Sequence, residues 1–279
     1  MSSRKSARRT KFAGSHQKSW LWGKYAILEV LKGQRWPVRE LYVTEEASSQ
    51  LDAFSEQLTE QSVSVLLTPA SRITELCGHR DHQGFAARMA PYPLVSQEYL
   101  NRAADLAVTS AEQENTPPLF VACDRIQDAH NLGAILRTCD AMAVNGVILG
   151  TSSQATITPH VARASSGAVN FLDIYQVDDL AETLGSMKKL RYRLVAASEK
   201  ATVPITQAKL KEPVVVVIGS ESHGVASDLR ELVDTEVAIP MHGQIESLNA
   251  AVACGILLHE ARRQQGLYTP DLNSEVSSD

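Results

Sequence analysis

Two kinds of apolar pattern divide the chain into a shorter first part and a longer second part. Between residues 19 and 95, short segments predict strands at VRELYVT, SVSVLLT and HQGFAARMA, with helices at LDAFSEQLTEQ and SRITELCG. The opening segment, SWLWGKYAILEVLKG, is amphipathic and predicts a helix that begins near Ser19. The first part is therefore a small α/β unit. The polar residues 96–116, closed by a proline pair, predict a helical or flexible linker.

From Leu119 onward, near-continuous apolar runs alternate with amphipathic segments. Runs such as LFVACD, GVILG, FLDIYQV, YRLVAAS and VVVVIG predict buried strands, and segments such as NLGAILRTCDAMAV, PHVARASSGAV and SLNAAVACGILLHEARRQQ predict helices. Strands that are apolar on both faces and separated by helices are typical of a mostly parallel sheet covered on both sides. In such sheets, functional residues lie at the carboxyl ends of the strands.

Charge is distributed unevenly along the 279 residues. The net charge is −5, but residues 1–24 hold seven basic side chains and no acidic one, which leaves 20 basic against 32 acidic residues elsewhere. We therefore predict a flexible basic arm that contacts phosphates, although a solvated tail without a partner is the alternative. The predicted organisation is an arm at 1–18, a first domain at 19–95, a linker at 96–116, a second domain at 117–266 and an acidic tail at 267–279.

The composition is typical of a globular protein of the cytoplasm. No apolar run approaches the roughly 18 residues of a membrane helix. The four cysteines are far apart and form no paired spacing, so we expect buried thiols in a reducing compartment. Cys77, His79 and His82 are spaced like metal ligands, but no fourth ligand is nearby. We therefore predict a polar loop there and no metal site.

Three segments at predicted strand ends carry polar and glycine residues that packing alone does not require. In DRIQDAHNLGAILRTCDA, Asn131 stands where a helix cap is expected, and Arg137 falls off the apolar face, where it can clamp a phosphate. In VVVVIGSESHGV, Gly219 ends a buried strand and lets backbone approach a ligand. In AIPMHGQIESLNAAVACGILLHE, Ser247 and Asn249 open a long apolar helix.

Each segment alone also has an ordinary structural explanation. Asn131 and Ser247 can simply cap helices, Arg137 can be a surface residue, and most strand-to-helix turns need a glycine. The glycines form neither a dinucleotide fingerprint nor a phosphate-binding loop. A nucleotide-dependent oxidoreductase is therefore excluded, whereas a functional role for the three segments stays open.

Taken together and in this order, NLGAILRT, GSESHGV and IPMHGQIESLNAAVA resemble the three motifs of the SpoU family of RNA 2′-O-ribose methyltransferases, in the SPOUT superfamily. The resemblance extends from Leu119 to Glu260. The first part, from WGKYAILEVL to HQGFAARMA, is similar to the L30e-like RNA-binding domain that many SpoU proteins carry. Two of the motifs depart from the family pattern: Ala143 replaces a glycine of the first motif, and SLNAAVA replaces SLNVSVA. Every polar position that the resemblance assigns to catalysis is filled.

The resemblance implies a fold, a cofactor and a set of site residues. The fold would be α/β, with a small L30e-like α/β domain followed by an α/β knot, a deep trefoil knot with a mostly parallel sheet. The cofactor would be S-adenosylmethionine, and its methyl would pass to a ribose 2′-OH of RNA, with large-subunit rRNA preferred over tRNA. The implied cofactor-binding residues are Gly219, Ile239, Met241, Ser247 and Leu248. The implied catalytic set is Arg137, Asn131, Glu221, Ser247 and Asn249.

The chemistry places most weight on Arg137. A ribose hydroxyl is a very weak acid, so positive charge near the developing alkoxide favours methyl transfer. A guanidinium releases its own proton reluctantly, so Glu221 is the fallback base or the group that orients Arg137, and His130 and His223 are further candidates.

The resemblance also implies partners. These are RNA rather than DNA and a second copy of the chain in a homodimer. A non-catalytic RNA-binding or ribosome-assembly protein with the same fold is the alternative.

Overall fold

The structure, a computed structural model, describes residues 19–114, 116–245 and 247–267. The predicted basic arm and all but the first residue of the predicted acidic tail lie outside the described residues. The described chain divides into two compact units. The first holds the residues up to Pro93 together with 128–137 and 155–171, and the second holds the remainder.

The residues up to Pro93 form an α/β structure around one sheet. Its strands lie in the order β1-β4-β2-β3, where β4 is antiparallel to β1 and β2, and β3 is parallel to β2. The elements are β1 (Trp20–Trp22), α1 (Lys24–Gly33), β2 (Val38–Val43), α2 (Glu45–Ser48), a 3₁₀ helix (Ser49–Phe54), α3 (Ser55–Glu60), β3 (Ser64–Leu67), α4 (Ala70–Cys77) and β4 (Phe85–Met89).

The predicted helix at Ser19 is wrong in its first turn. Trp20–Trp22 forms β1, whose three side chains are all buried, and α1 begins only at Lys24. Gly23 lies between them with a φ of 99°, a conformation that glycine adopts without steric cost and that lets the strand turn into the helix. A strand this short, buried on both faces, has no polar alternation that would distinguish it from a helix turn.

The second part of the chain builds an eight-stranded parallel sheet in the order β10-β12-β9-β11-β6-β7-β8-β5. Its elements are β5 (Val95–Ser96), α5 (Gln97–Glu114), β6 (Leu119–Asp124), α6 (Ala129–Ala141), β7 (Gly146–Gly150), α7 (Pro159–Ala164), β8 (Ile174–Val177), α8 (Leu180–Lys189), β9 (Arg193–Ala197), β10 (Val203–Pro204), β11 (Val214–Gly219), α9 (Ser227–Leu232), β12 (Thr235–Ala238) and α10 (Ala250–Gln264). The predicted α/β class with a mostly parallel sheet is confirmed. The knot stays a prediction of the resemblance.

The helical alternative of the predicted linker is confirmed, and this helix, α5, is a structural part of the second unit. Leu100 and Ala104 of α5 are fully buried in the same core cluster as Phe120 and Tyr192. The Tyr192 hydroxyl also donates a hydrogen bond to the Ala104 carbonyl oxygen at 2.9 Å. The flexible alternative is therefore wrong. The burial of Leu100 and Ala104 holds α5 in place, although its sequence is largely polar.

The first unit packs two separate stretches of sequence tightly together. A Cβ on Gly33, at the end of α1, would lie 2.6 Å from the Cβ of Asn170. A Cβ on Gly167 would lie 2.7 Å from the Cβ of Glu29. The Tyr92 hydroxyl donates to the Val169 carbonyl oxygen at 2.6 Å. Residues 155–171 thus fold against the N-terminal sheet unit, which the predicted domain boundaries do not anticipate.

The cysteines and histidines have ordinary structural surroundings. All four cysteines are free and buried, and burial raises the pKa of the Cys123 and Cys139 thiols. The His82 Nδ1 accepts the Gly84 N–H at 3.1 Å, so this ring is used by its own loop. Among the described residues, no group of His, Cys, Asp and Glu is arranged to hold a metal ion. None of the described helices combines the length and apolarity needed to cross a membrane.

Candidate functional site

A cavity of about 590 Å³ opens in the second unit, at the carboxyl ends of β9, β11 and β12. Residues of three loops line it, namely 198–200, 219–225, and 239–241 together with Ile245, Ser247 and Leu248. Parallel strands place their carboxyl-terminal loops at one edge of the sheet, which is why these distant segments meet. The volume falls within the roughly 300–1,000 Å³ of sites for small molecules and cofactors.

The loop after β11 folds back onto its own start. A Cβ on Gly219 would lie 2.1 Å from the carbonyl carbon of Gly224, so a glycine is required at this close approach. The Gly224 N–H donates to the Ser220 carbonyl oxygen at 2.8 Å, and its φ of 64° completes the turn. Glu221 sits between these points with an exposed side chain and lines the cavity.

The segment between β12 and α10 supplies the opposite wall. Ile239, Met241, Ser247 and Leu248 all line the cavity, with Ile239 and Leu248 half-buried and the other two exposed. With Gly219, all five residues predicted to bind the cofactor are brought together. Of the predicted catalytic residues, Glu221 and Ser247 are in the same cavity.

Asn249, and not Ser247, is the residue that caps α10. The Asn249 Oδ1 accepts the N–H groups of Ala251 at 2.9 Å and Val252 at 3.4 Å, so Asn249 caps α10. It does not appear among the described residues that line the cavity. Ser247, for which a cap was the alternative, lies before the helix and lines the cavity. Asn249 therefore fixes the start of α10 directly behind a cavity residue.

Asn131 and Arg137 lie on α6, in the first unit. The Asp128 Oδ1 accepts the N–H groups of His130 at 2.7 Å and Asn131 at 3.0 Å, so Asp128 caps the helix. The prediction that Asn131 is the cap is wrong by three residues, because Asp128 offers a better-placed carboxylate. Arg137 is exposed and lies off the apolar face, as predicted. Neither Asn131 nor Arg137 is among the described residues that line the cavity.

Sequence reasoning missed several polar residues of the cavity wall. Ser198, Glu199 and Lys200 follow β9, and Arg230 and Glu236 form an ion pair with 2.7 Å and 2.9 Å contacts. The Arg230 guanidinium holds the pKa of Glu236 below its usual value, and the Ser198 hydroxyl adds to this effect. The polar Ser-Glu-Lys directly after the buried run YRLVAAS was the signal that could have identified the first loop.

Of the two histidines considered as bases, only His223 lines the cavity as described. Its Nδ1 lies 2.7 Å from the Ser222 Oγ, and both side chains are exposed. His130 lies instead in the first turn of α6.

Comparison with known proteins identifies the family. Residues 118–259 match the SpoU rRNA Methylase family, and residues 20–95 match the domain described as RNA 2′-O ribose methyltransferase substrate binding. The chain belongs to the SpoU rRNA methylase family. The resemblance drawn from the three motifs is thereby confirmed, and this SpoU protein is a methyltransferase.

Relatives of this SpoU methylase share most of its length. A protein of Bacillus subtilis (strain 168), YacO, is named as belonging to the TrmH family of tRNA/rRNA methyltransferases. It is 31% identical over 252 residues, which cover 90% of this chain and 98% of the relative. The crystal structure of the SpoU methyltransferase AviRb from Streptomyces viridochromogenes has 25% identity and a TM-score of 0.70, covering 89% of this chain and 90% of that one. An rRNA methyltransferase from Sinorhizobium meliloti, 23% identical with a TM-score of 0.72, shares the fold over 91% of this chain and 90% of its own.

Proposed function

We propose that the chain transfers a methyl group from S-adenosylmethionine to a ribose 2′-OH of RNA, with large-subunit rRNA as the first candidate and tRNA as the second. The observation that carries the proposal is the meeting of the second and third motifs, including all five expected cofactor residues, in one cavity. The relatives' names include both kinds of RNA.

The residues of the cavity fit S-adenosylmethionine. Gly219 has no side chain, and its backbone borders the cavity, which suits a cofactor held by amide and carbonyl groups. Met241 and Leu248 supply apolar surface, and Ser247 supplies a hydroxyl. Two related crystal structures, the S. meliloti protein and AviRb, contain this cofactor. When bound, the cofactor supplies a methyl group on a sulfonium.

The remaining chemistry falls to side chains of the chain itself. Arg137 would hold the phosphate next to the target ribose and stabilise the negative charge that develops on O2′. Asn131, which precedes Arg137 by six residues on α6, would help to orient the same nucleotide. Glu221 would accept the hydroxyl proton, since it is a carboxylate in the cavity wall. Asn249 would act indirectly, through the position of Ser247.

The substrate-binding match at residues 20–95 supports RNA as the partner of the first domain. We also propose a cytoplasmic location, because the names of the relatives refer to tRNA and rRNA.

We also expect a homodimer, as the resemblance implies. Val252 on the apolar helix α10 leaves half of its surface exposed, which offers contact area for a second copy. Light scattering at micromolar concentration should give twice the chain mass of 30.4 kDa. A mass equal to one chain would contradict the dimer.

The experiment that tests the function measures transfer of labelled methyl to total RNA from a strain that lacks the gene. Label should appear in alkali-resistant dinucleotides, because a 2′-O-methyl group blocks cleavage at the next phosphate. A matched substrate with a 2′-deoxy nucleotide at the mapped site should accept none. Methyl on a base would contradict ribose methylation, and RNA binding without any transfer would favour the non-catalytic alternative.

A further inference from the structure

A buried carboxylate stands beside the second-motif loop and has no role in the site described above. Asp124 ends β6, directly opposite Gly219 in the parallel pair with β11. Only 5% of its surface is exposed. Its Oδ2 accepts the N–H of Ala226 at 2.7 Å, at the point where the loop enters α9.

Arg125 completes the arrangement. Its Nε and Nη2 donate to the two carboxylate oxygens of Asp124 at 2.9 Å and 3.0 Å. The same Nη2 donates to the carbonyl oxygen of Gly224 at 3.3 Å. Arg125 holds this position with a φ of 57°, a left-handed conformation that is uncommon outside glycine, asparagine and aspartate. The surrounding contacts must offset that strain.

These bonds tie down the far end of the loop whose near end is fixed by the sheet. Gly219 of β11 is paired with Asp124 of β6. Gly224 is held through its carbonyl oxygen, and Ala226 is held through its N–H. Glu221 lies between these fixed points. Hydrogen bonds to a buried carboxylate are shorter and stronger than neutral ones, so this anchor is well suited to restrict the loop.

We propose that Asp124 and Arg125 are positioning residues that fix the loop 220–226, and through it the cavity wall that carries Glu221. Neither is among the described residues that line the cavity, so both act through the loop. The link to cofactor affinity rests on the proposed function, whereas the anchoring of the loop does not.

Two variants separate the parts of the anchor. Asp124→Asn keeps the size of the side chain but loses its charge and one of its two acceptor oxygens, so the Arg125 Nε, the Arg125 Nη2 and the Ala226 N–H can no longer all be bonded. Arg125→Asn removes the grip on Gly224, and asparagine tolerates the left-handed backbone better than most residues. Because Arg125 is partly exposed, this second variant keeps the test available if Asp124→Asn fails to fold.

Asp234→Asn is the matched control. Asp234 also pairs with a cation, the Lys188 Nζ at 2.8 Å, and also accepts a backbone N–H, from Leu194 at 2.8 Å. It lies before β12, at the amino-terminal end of that strand, and is not among the described cavity residues. The control therefore removes the same chemistry from the same sheet without touching the loop 220–226.

The measurements are amide hydrogen exchange of residues 220–226 and titration calorimetry with S-adenosylmethionine, both on the full chain. In Asp124→Asn we expect exchange at least about tenfold faster in the loop and a Kd for S-adenosylmethionine raised at least about tenfold. Arg125→Asn should show smaller changes in the same direction. Asp234→Asn should leave both the loop exchange and the Kd at their native values.

Native exchange and native affinity in a folded Asp124→Asn protein would overturn the proposal. Equal losses in Asp124→Asn and Asp234→Asn would overturn it too, since they would reflect global stability alone. If the native chain does not bind S-adenosylmethionine, the proposed function fails, and the exchange measurement then decides separately whether Asp124 and Arg125 fix the loop.

Discussion

Arg137 lies on α6, and Ala143 follows the end of this helix. The packing of the helix explains neither residue. Arg137 contributes nothing to the buried face and is exposed, so its presence is not explained by packing. Ala143 follows the helix with a φ of 50°, which a β-carbon disfavours. Arg137 stays a candidate for a role in the reaction, and the backbone conformation of Ala143 favours the glycine that the family motif has there.

Replacing Arg137 with alanine should lower kcat for RNA methylation at least about a hundredfold, because the lost charge acts mainly in the transition state. The Kd for S-adenosylmethionine should stay near the native value, since Arg137 is not among the described cavity residues. Arg137→Lys, which keeps the charge but not the planar fork, should fall between the two. A fully active Arg137→Ala enzyme would move the role to Glu221 or His223.

Ala143→Gly should raise the free energy of unfolding by about 1 kcal/mol, because glycine adopts the left-handed conformation without steric cost. The Ala143 carbonyl oxygen, which accepts from the buried Arg262 guanidinium, remains in place. Ala141→Gly, at the exposed last residue of α6, should instead lower the free energy of unfolding by up to about 0.5 kcal/mol. Urea denaturation of both variants checks the opposite signs, and a loss of stability in both would contradict the interpretation of Ala143.

Among the elements, buried parallel strands were the most predictable from sequence. Runs such as VVVVIG contain only apolar side chains and are too short for a helix of the same burial, so their assignment needs no tertiary information. Tertiary contacts decide two elements, of which the sequence pattern mispredicts one and leaves the other open. Trp20–Trp22 becomes a strand by pairing with β4, and the polar segment 96–116 contains a core helix because two of its residues meet the sheet.

The residues of the candidate site were easiest to predict where they belong to a long motif. The third motif placed Ile239, Met241, Ser247 and Leu248 correctly in one cavity. Single polar residues were harder, since Asp128 rather than Asn131 caps α6, and a side chain that accepts two N–H groups can only be recognised once the helix start is known. Asp124 was not singled out because a terminal aspartate after an apolar run is common in any strand.

Leu100 provides a test of α5 as a structural element. Leu100→Ala should lower the free energy of unfolding by about 2–5 kcal/mol, because the side chain is fully buried against the sheet. Leu106→Ala, on the same helix but 54% exposed, should change it by no more than about 0.5 kcal/mol. Urea denaturation measures both. Equal small effects would restore the linker interpretation of residues 96–116.

At the scale of the whole molecule, the uneven distribution of charge along the chain determines which part attracts RNA. Residues 1–18 carry six basic side chains, whereas the chain as a whole is acidic. Replacing those six residues with glutamine should weaken RNA binding most at low salt and reduce the slope of log K against log salt by up to roughly four units. Filter binding at several salt concentrations measures the slope. An unchanged slope would show that the arm does not contact phosphates.

The tight packing inside the first unit has a consequence for inheritance. Gly33 and Asn170 lie in segments that match two different domain families. Gly33 is in the segment 20–95, and Asn170 is in the segment 118–259. Any side chain larger than hydrogen at Gly33 would collide with Asn170, and one at Gly167 would collide with Glu29. A chimera with residues 20–95 from one relative and residues 118–259 from another would bring together two contact surfaces whose residues had not changed together. The two stretches are therefore expected to be transmitted as a pair, with substitutions at 33 and 170, or at 29 and 167, arising together.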